Sequence, residues 1–408
     1  MSTPTTRNPP TRGWSAWRAV VGFGVVSLTA DMVYEGARAV TGPLLAALGA
    51  SAVLVGLITG TGEAMALVLR LFSGSWADRT GRYWALTVGG YALTAVCVPA
   101  LAVTPFLAGA GLAVACVLIL AERTGKAVRS PAKSALLAHA ATAVGLGRGF
   151  AVHKALDQAG AVAGPLLVAA VAALTGALWP ALAVLVVPGA VALLVLLRIK
   201  RGVGRPAQDD GPAPVAAVPS SRDRVPLPPA FWLFAASAGV ATAGLVTFGV
   251  ISFHLTRDGV LPVPAIPLVY AGAMAAEALP ALVSGWWFER VRGRVLVVLP
   301  VLVAAVPALA FADTRALALT GVLVWGFANG LQDSTVKALV ADLVPAPRRA
   351  TGYGLFAAVQ GGAAVLGGAA AGALYERSVP ALAGVVAATQ VVALALLLIT
   401  LRREPRRG

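Results

Sequence analysis

The stretch "GSWADRTGR" (residues 74–82) is the strongest indication of the fold, because a similar sequence occurs once more in the second half of the chain. It follows an apolar segment at 51–73, and "GWWFERVRGR" (285–294) follows another apolar segment at 263–284. Both copies place an acid and an arginine after Gly-x-x-x, and both then end in Gly-Arg. A polar loop that recurs between apolar segments predicts a chain made of two related halves.

A second pair of similar segments supports this division, at a constant offset of 203 residues. "SALLAH" (134–139) matches "KALVAD" (337–342), and Asp157 in the first half matches Gln360 in the second. The halves are therefore predicted to be parallel repeats with a central cavity between them at the middle of the membrane.

Apolar segments surround these loops along the whole chain. Of the 408 residues, 58% are hydrophobic and only 12% are charged, whereas soluble domains carry about 25% charged residues. A helix needs about 20 apolar residues to cross a bilayer. Twelve such spans are predicted, at 18–42, 51–73, 84–105, 107–138, 148–174, 177–198, 230–255, 263–284, 294–313, 315–343, 351–375 and 379–401. The sequence thus predicts an all-α polytopic membrane protein.

Polar segments divide these spans into two pseudo-symmetric six-helix bundles. The segment between the bundles is rich in proline and charge, which is typical of a flexible linker. The predicted divisions are a cytoplasmic tail at 1–17, a bundle at 18–198, a cytoplasmic linker at 199–229, a bundle at 230–401 and a cytoplasmic tail at 402–408.

The formal net charge of +15 lies on one side of this predicted topology. With the amino terminus inside, the outer loops hold three basic residues (Arg257, Arg315, Arg377) and three acidic ones (Asp258, Asp313, Glu376). This is the positive-inside distribution, which predicts a multi-pass protein of the cell membrane with both termini in the cytoplasm. Because that distribution accounts for the excess charge, no nucleic-acid partner is expected.

The six-plus-six plan and the repeated loop motif resemble the major facilitator superfamily over essentially the whole chain. In that family the loop forms part of a cytoplasmic gate, which implies this role for Gly74, Asp78, Arg79, Gly81, Arg82, Gly285, Glu289, Arg290, Gly293 and Arg294. The family's span-four arginine corresponds to Arg123 in "ERTGKAVRSPAKSALL" (122–137). "GAVAGP" (160–165) resembles part of a motif of bacterial drug/proton antiporters, although close helix packing explains it nearly as well.

Charged residues inside the predicted spans are costly in lipid, so each indicates function or pairing inside the bundle. In "LTADMVYEGARAV" (28–40) three of them share one helical stripe at i, i+4 and i+7. The residues predicted to line the cavity or couple protons are Asp31, Glu35, Arg38, Arg123, Lys126 and Asp157. Asp157 is expected to pair with Arg123 or Lys126. Three further cations are expected to extend from helix ends to the cytoplasm: Arg70, Arg129 and Lys133.

Three explanations compete for the stripe on the first span. Its residues form a salt-bridge ladder, bind a cationic substrate, or carry a transported proton. The ladder alone explains little, since Arg38 lies seven residues, about 10 Å, from Asp31. We expect Glu35, nearer Arg38, to stay ionised and Asp31 to take up the coupled proton.

The remaining motifs argue against an enzyme. The three histidines never cluster with carboxylates at metal-ligand spacing, and no nucleotide-binding loop is present in the sequence. A secondary active transporter working by alternating access, most simply as a monomer without a cofactor, is therefore expected. The first expectation is a proton-coupled exporter of small amphipathic or drug-like compounds. The alternative is a proton symporter that imports a small organic anion or metabolite.

If Asp78 closes the cytoplasmic gate against span eleven, Asp78→Asn should cripple transport while expression and ligand binding persist. Cysteines introduced into the cavity should then react faster with a reagent added from the cytoplasmic side. Unchanged transport by this variant would remove Asp78 from the gate.

Overall fold

The computed structural model describes residues 14–203, 227–345 and 348–403. Within these ranges the side chains of some residues remain outside the described part: 203, 281–289, 291, 292, 334, 335, 337, 338, 341, 350 and 403. Most of the predicted tails and linker also lies outside the described residues, so those domain boundaries stay predictions.

The described chain is built from helices. The first part contains α1 (Ala16–Ala47), α2 (Ala52–Thr80), α3 (Tyr83–Ala100), α4 (Gly111–Ala141), α5 (Leu146–Thr175), α6 (Leu178–Ala183) and α7 (Val186–Val203). The second part contains α8 (Pro229–Gly244), α9 (Phe248–Arg257), α10 (Ile266–Val291), α11 (Val298–Ala310), α12 (Arg315–Leu343), α13 (Arg349–Arg377) and α14 (Val379–Arg403). Short 3₁₀ turns cover Leu101–Phe106, Ala108–Ala110, Val263–Ala265 and Arg292–Val297.

The all-α polytopic class is confirmed. Among the described residues, eleven helical segments are long and apolar enough to span a membrane. Helix α12 occupies the position of the remaining predicted span, 315–343, and has the same bounds. No β-strand occurs in the described parts of the chain.

Two predicted spans are interrupted rather than continuous. The span at 230–255 separates into α8 and α9 around Leu245–Thr247, where Val246 leaves the helical hydrogen-bond ladder. The Val246 carbonyl oxygen, which lies outside the helical ladder, accepts a hydrogen bond from the indole nitrogen of Trp325, at 2.8 Å. Irregular backbone is tolerated at membrane depth where protein groups satisfy it and where it lines a cavity. The span at 177–198 is similarly divided into α6 and α7.

Small residues bring the long helices into backbone contact. A methyl group added to Gly160 or Gly164 of α5 would collide with the backbone of α1 at Leu28 or Met32. Gly56 of α2 meets the carbonyl of Gly368 of α13 in the same way. Because lipid tails are as apolar as the helices, the hydrophobic effect does not hold helices together within a membrane. Van der Waals contact between closely approaching backbones stabilises their packing instead. Helix packing therefore accounts for the glycines of "GAVAGP".

We call the end of the bundle that carries the start of α1 the linker face, and the opposite end the distal face. At the distal face, Gly42 of α1 lies against the backbone of α9 at Gly249. The carboxylate of Glu376, near the end of α13, accepts a hydrogen bond from the first backbone N–H of α2, at Ala52, over 2.7 Å. The first and second parts of the chain thus contact each other closely at the distal face.

The first copy of the loop motif is mostly helical. Helix α2 continues through Gly74 and Asp78, and Gly81 ends it in the left-handed region with φ of +62°. A Cβ at Gly74 would lie 3.6 Å from Pro131, an ordinary contact, so close packing does not require this glycine. Asp78 accepts a hydrogen bond from the Tyr83 hydroxyl at 3.0 Å, not from the start of α13. Two arginines of the motif are exposed: Arg79 and Arg82.

The second copy adopts a different local structure. Helix α10 extends through Arg290 to Val291, and the following 3₁₀ turn contains Gly293 and Arg294. A Cβ on Gly293 would lie 2.8 Å from the Leu401 side chain. Gly285 and Glu289 belong to α10, but their side-chain positions lie outside the described part. The one-residue insertion therefore coincides with a different helix ending.

We expect Gly164→Val to lower the melting temperature of the purified protein, because its side chain would meet the backbone of α1 at Met32. Overpacking of this kind costs about 1–3 kcal/mol. The matched control is Gly362→Val on α13, where an added Cβ meets nothing within 4 Å. Equal melting temperatures for the two variants would contradict the backbone contact.

Candidate functional site

A cavity of about 400 Å³ lies between the first and second parts of the chain. Helices α1, α2, α4 and α5 supply one side, and α8, α10, α12 and α13 supply the other. Five of the six predicted cavity residues line it: Asp31, Glu35, Arg38, Lys126 and Asp157. The sixth, Arg123, lies beside the cavity and contacts Glu63, which lines it.

Glu35 joins three helices through its carboxylate. Its Oε2 accepts a hydrogen bond from the Tyr270 hydroxyl of α10 at 2.5 Å. Its Oε1 lies 3.8 Å from Nζ of Lys126 on α4, and Arg38 is 3.9 Å away on the same helix. Only 7% of this residue is exposed. A carboxylate buried to this degree requires such partners.

Arg38 pairs mainly with an acid that the sequence analysis did not select. Its Nη2 lies 2.6 Å from Oε1 of Glu63 on α2, much closer than Glu35. Arg123 Nη1 is 3.7 Å from the same carboxylate oxygen and also donates to the Tyr34 hydroxyl. The internal ladder within α1 is therefore only part of a network across α1, α2 and α4. Spacing along one helix cannot reveal a partner on another.

Tyr34 presents its ring to two cations. Nζ of Lys126 lies 3.2 Å from the ring centroid, and the Arg123 guanidinium carbon lies 4.6 Å from it. A ring face attracts cations electrostatically, more strongly when both are desolvated. The aromatic side chain thus helps to hold these charges at the edge of the cavity.

Asp157 belongs to a second cluster. It accepts hydrogen bonds from the Ser27 hydroxyl at 2.6 Å and from Lys154 at 2.9 Å. The predicted pairing with Arg123 or Lys126 is wrong, because those cations contact the carboxylates on α1 and α2 instead. Lys154 lies one turn from Asp157 on the same helix and reaches it directly. The carboxyl group of Asp31 lies beside that of Asp157.

The three cations expected to reach the cytoplasm from helix ends lie in the cavity wall instead: Arg70, Arg129 and Lys133. Arg129 is only 4% exposed, donates to the Gly90 carbonyl and to Thr94, and stacks on the Tyr91 ring. Lys133 lies 3.5 Å from the Ser27 hydroxyl. Helix α4 runs along the cavity and places Lys126, Arg129 and Lys133 in its wall. These side chains therefore face protein rather than lipid headgroups.

The opposite wall contains an acid and several amides that sequence reasoning missed. Glu277 of α10 accepts a hydrogen bond from Asn329 at 2.9 Å. The amides of Gln332 and Gln360 each donate to the Thr242 hydroxyl at 3.3 Å. The sequence does indicate these amides, since Asn329 and Gln332 lie one helical turn apart within the predicted span 315–343.

Comparison with known proteins agrees with this architecture. The family model described as the Major Facilitator Superfamily matches residues 23–276 and 254–408. Uncharacterized proteins of Mycobacterium tuberculosis and Mycobacterium bovis are 52% identical over 384 residues, which cover 94% of this chain and 93% of theirs.

Solved transporter structures share the fold at low sequence identity. A variant of the nucleoside transporter NupG gives a TM-score of 0.73 at 14% identity, over 94% of this chain and 99% of that one. The peptide transporter POT in complex with sulfate gives 0.72 at 15% identity, over 95% and 94%. An inward-facing bacterial homolog of the human lysosomal transporter Spinster gives 0.64 at 16% identity, over 97% and 96%.

The all-α polytopic fold thus matches one known architecture, which is that of a transporter and not an enzyme. The drug/proton-antiporter subgroup is not distinguished by these matches. The chain belongs to the Major Facilitator Superfamily of membrane transporters.

Proposed function

We propose that this transporter couples the movement of a small polar substrate to protons, with Asp31 as the coupling carboxyl. The observation that carries the proposal is the unequal pairing of the two acids on α1. Glu35 has Lys126, Arg38 and the Tyr270 hydroxyl as partners. Among the described residues, no Lys or Arg nitrogen lies within 4.0 Å of the Asp31 carboxylate.

The position of Asp31 beside Asp157 supports this role. Two neighbouring carboxylates repel each other, and a proton held between them removes the repulsion. Lys154 lies 2.9 Å from Asp157, so the charge of this cluster depends on how many protons it holds. A group of this kind can load a proton on one side of the membrane and release it on the other.

The excess of basic residues supports an orientation for the cycle. Segments at the linker face carry the excess of Lys and Arg, which supports a cytoplasmic position for that face in a cell membrane. The distal face then points outward, where α1 contacts α9 and Glu376 caps α2. The gate motif lies at the cytoplasmic face, where Asp78 would exchange its Tyr83 contact for α13 when that face closes.

The lining of the cavity bears on the substrate. Charged and amide side chains supply much of its lining, together with apolar residues such as Leu67, Leu245, Met274, Trp325 and Val336. Export of amphipathic or drug-like compounds would leave many of these polar groups without partners, which is costly in a desolvated site. The lining therefore favours the alternative from the sequence, proton symport of a small organic anion or metabolite, by one protein molecule acting alone.

An imposed pH gradient of either sign tests the proposal in proteoliposomes. Radiolabelled organic anions, amino acids and amphipathic cations are supplied in turn, and accumulation is measured. Accumulation of polar compounds on the alkaline side supports symport. Proton-driven accumulation restricted to amphipathic cations would contradict the assigned substrate class, and the absence of any response to the gradient would contradict proton coupling.

We expect Asp31→Asn to abolish accumulation driven by the pH gradient, since the amide cannot exchange a proton, while downhill exchange of the same compound persists. The control is Glu35→Gln, one turn along α1, which should weaken binding but retain a response to the gradient. If Asp31→Asn still concentrates substrate in response to pH, Asp31 is not the coupling group and its role is structural.

A further inference from the structure

The charges of the cavity are divided unequally between its two walls. Described lining residues from α1 to α5 include six cations and four acids: Arg38, Arg70, Lys126, Arg129, Lys133, Lys154, Asp31, Glu35, Glu63 and Asp157. Described lining residues from α8 to α13 include two acids, Glu277 and Asp333, and no Lys or Arg. The wall formed by α1 to α5 therefore has more basic than acidic residues, and we call it the basic wall. The described lining residues from α8 to α13 that carry charge are acidic, and we call this side the acidic wall.

Three of the six cations of the basic wall have acidic partners. Arg38 pairs with Glu63 at 2.6 Å, Lys154 with Asp157 at 2.9 Å, and Lys126 with Glu35 at 3.8 Å. Among the described residues, three lining cations have no carboxylate oxygen within 4.0 Å: Arg70, Arg129 and Lys133. Each brings positive charge to the cavity that no described carboxylate neutralises by direct contact.

Two of these three remain available to a ligand. Arg129 is held by Gly90 and Thr94 and stacks on Tyr91, so its donors are largely used. Arg70 has a buried Nε–H without a hydrogen-bond partner among the described residues. Lys133 makes one long contact, 3.5 Å to Ser27. A carboxylate or similar anion would satisfy both side chains with charge-assisted hydrogen bonds.

The acidic wall offers the complementary group. Glu277 accepts one hydrogen bond, from Asn329, and no Lys or Arg nitrogen lies within 4.0 Å of its carboxylate among the described residues. On the same wall, Oε1 of Gln332 is buried without a partner, again among the described residues. A protonated amine brings positive charge and several N–H donors, which matches a wall that carries an acid without a basic partner and an unused amide oxygen.

We propose that the substrate is a small dipolar molecule, with its protonated amino group at Glu277 and its anionic group at Arg70 and Lys133. The inference rests on the transport function proposed above and names the substrate class of the same cavity. A volume of about 400 Å³ suits a small molecule. A simple anion would leave Glu277 without a cation, and a simple cation would leave Arg70 and Lys133 without an anion.

The test measures binding to the detergent-solubilised full chain without a proton gradient. The probes are matched sets: α- and ω-amino acids and dipeptides, the same carboxylates lacking the amino group, and the same amines lacking the carboxylate. Ligand that binds the folded state raises the melting temperature. We expect at least one dipolar probe to act at concentrations about tenfold or more below those of both its singly charged analogues, since each lost ionic contact removes a charge-assisted bond.

Two variants show which residues bind each charged group of the probe. Glu277→Gln should weaken binding of the dipolar probe about tenfold and leave binding of the matched carboxylate nearly unchanged. Arg70→Gln should weaken binding of the dipolar probe and leave binding of the matched amine nearly unchanged. The controls are Asp313→Asn and Arg377→Gln, which are exposed at the distal face and should change neither. These patterns differ from general damage, which would weaken every class of probe.

Three results would overturn the proposal. They are equal binding of dipolar and singly charged probes, no rise in melting temperature with any probe at millimolar concentration, and equal loss of all probe classes in Glu277→Gln. Because binding is measured without a gradient, a failure of proton coupling does not alter this result. Dipolar binding by a protein that shows no proton-driven transport would overturn the proposed coupling alone.

Discussion

The cost of placing a charged side chain in hydrocarbon governs the arrangement of this protein. Many of its described charged residues at membrane depth lie in one cavity or at its edge, where Arg38, Glu35 and Asp157 have opposite charges or hydroxyl groups as partners. Arg38 illustrates the constraint, since its nearest carboxylate oxygen belongs to Glu63 on another helix, α2, at 2.6 Å. The helices around the cavity are held in register by such contacts, and lipid meets mainly apolar surface.

Close helix packing makes that concentration of charge possible. Glycines such as Gly160 and Gly56 let backbones touch, so the long helices pack without bulky side chains between them. The interruption between α8 and α9 then exposes backbone at the cavity instead of at the lipid, with Trp325 satisfying the Val246 carbonyl. Packing and polarity therefore work together: small residues lie between helices, and charged residues lie where the packing leaves space.

Hydrogen bonds join the first part of the chain to the second around the cavity. Tyr270 donates to Glu35 at 2.5 Å, and the Gln158 amide donates to the Met274 carbonyl at 3.0 Å. Nearer the distal face, the hydroxyls of Thr59 and Thr247 are 2.7 Å apart. Any motion that separates the walls at this depth must break these hydrogen bonds.

The fold class, the positions of the apolar helices in the described residues and the cavity position of Asp31, Glu35 and Asp157 follow from the amino-acid sequence alone. The length of an apolar segment and the cost of a charge within it depend on neighbouring residues in the chain. They can therefore be inferred from the order of the amino acids alone. Tertiary structure decided which charges meet: Glu63 with Arg38, Lys154 with Asp157, and Tyr270 with Glu35. It also placed Arg129 in the cavity wall and Asp78 beside Tyr83. Helical spacing specifies the face of one helix, whereas ion pairing depends on how helices far apart in sequence are rotated against each other.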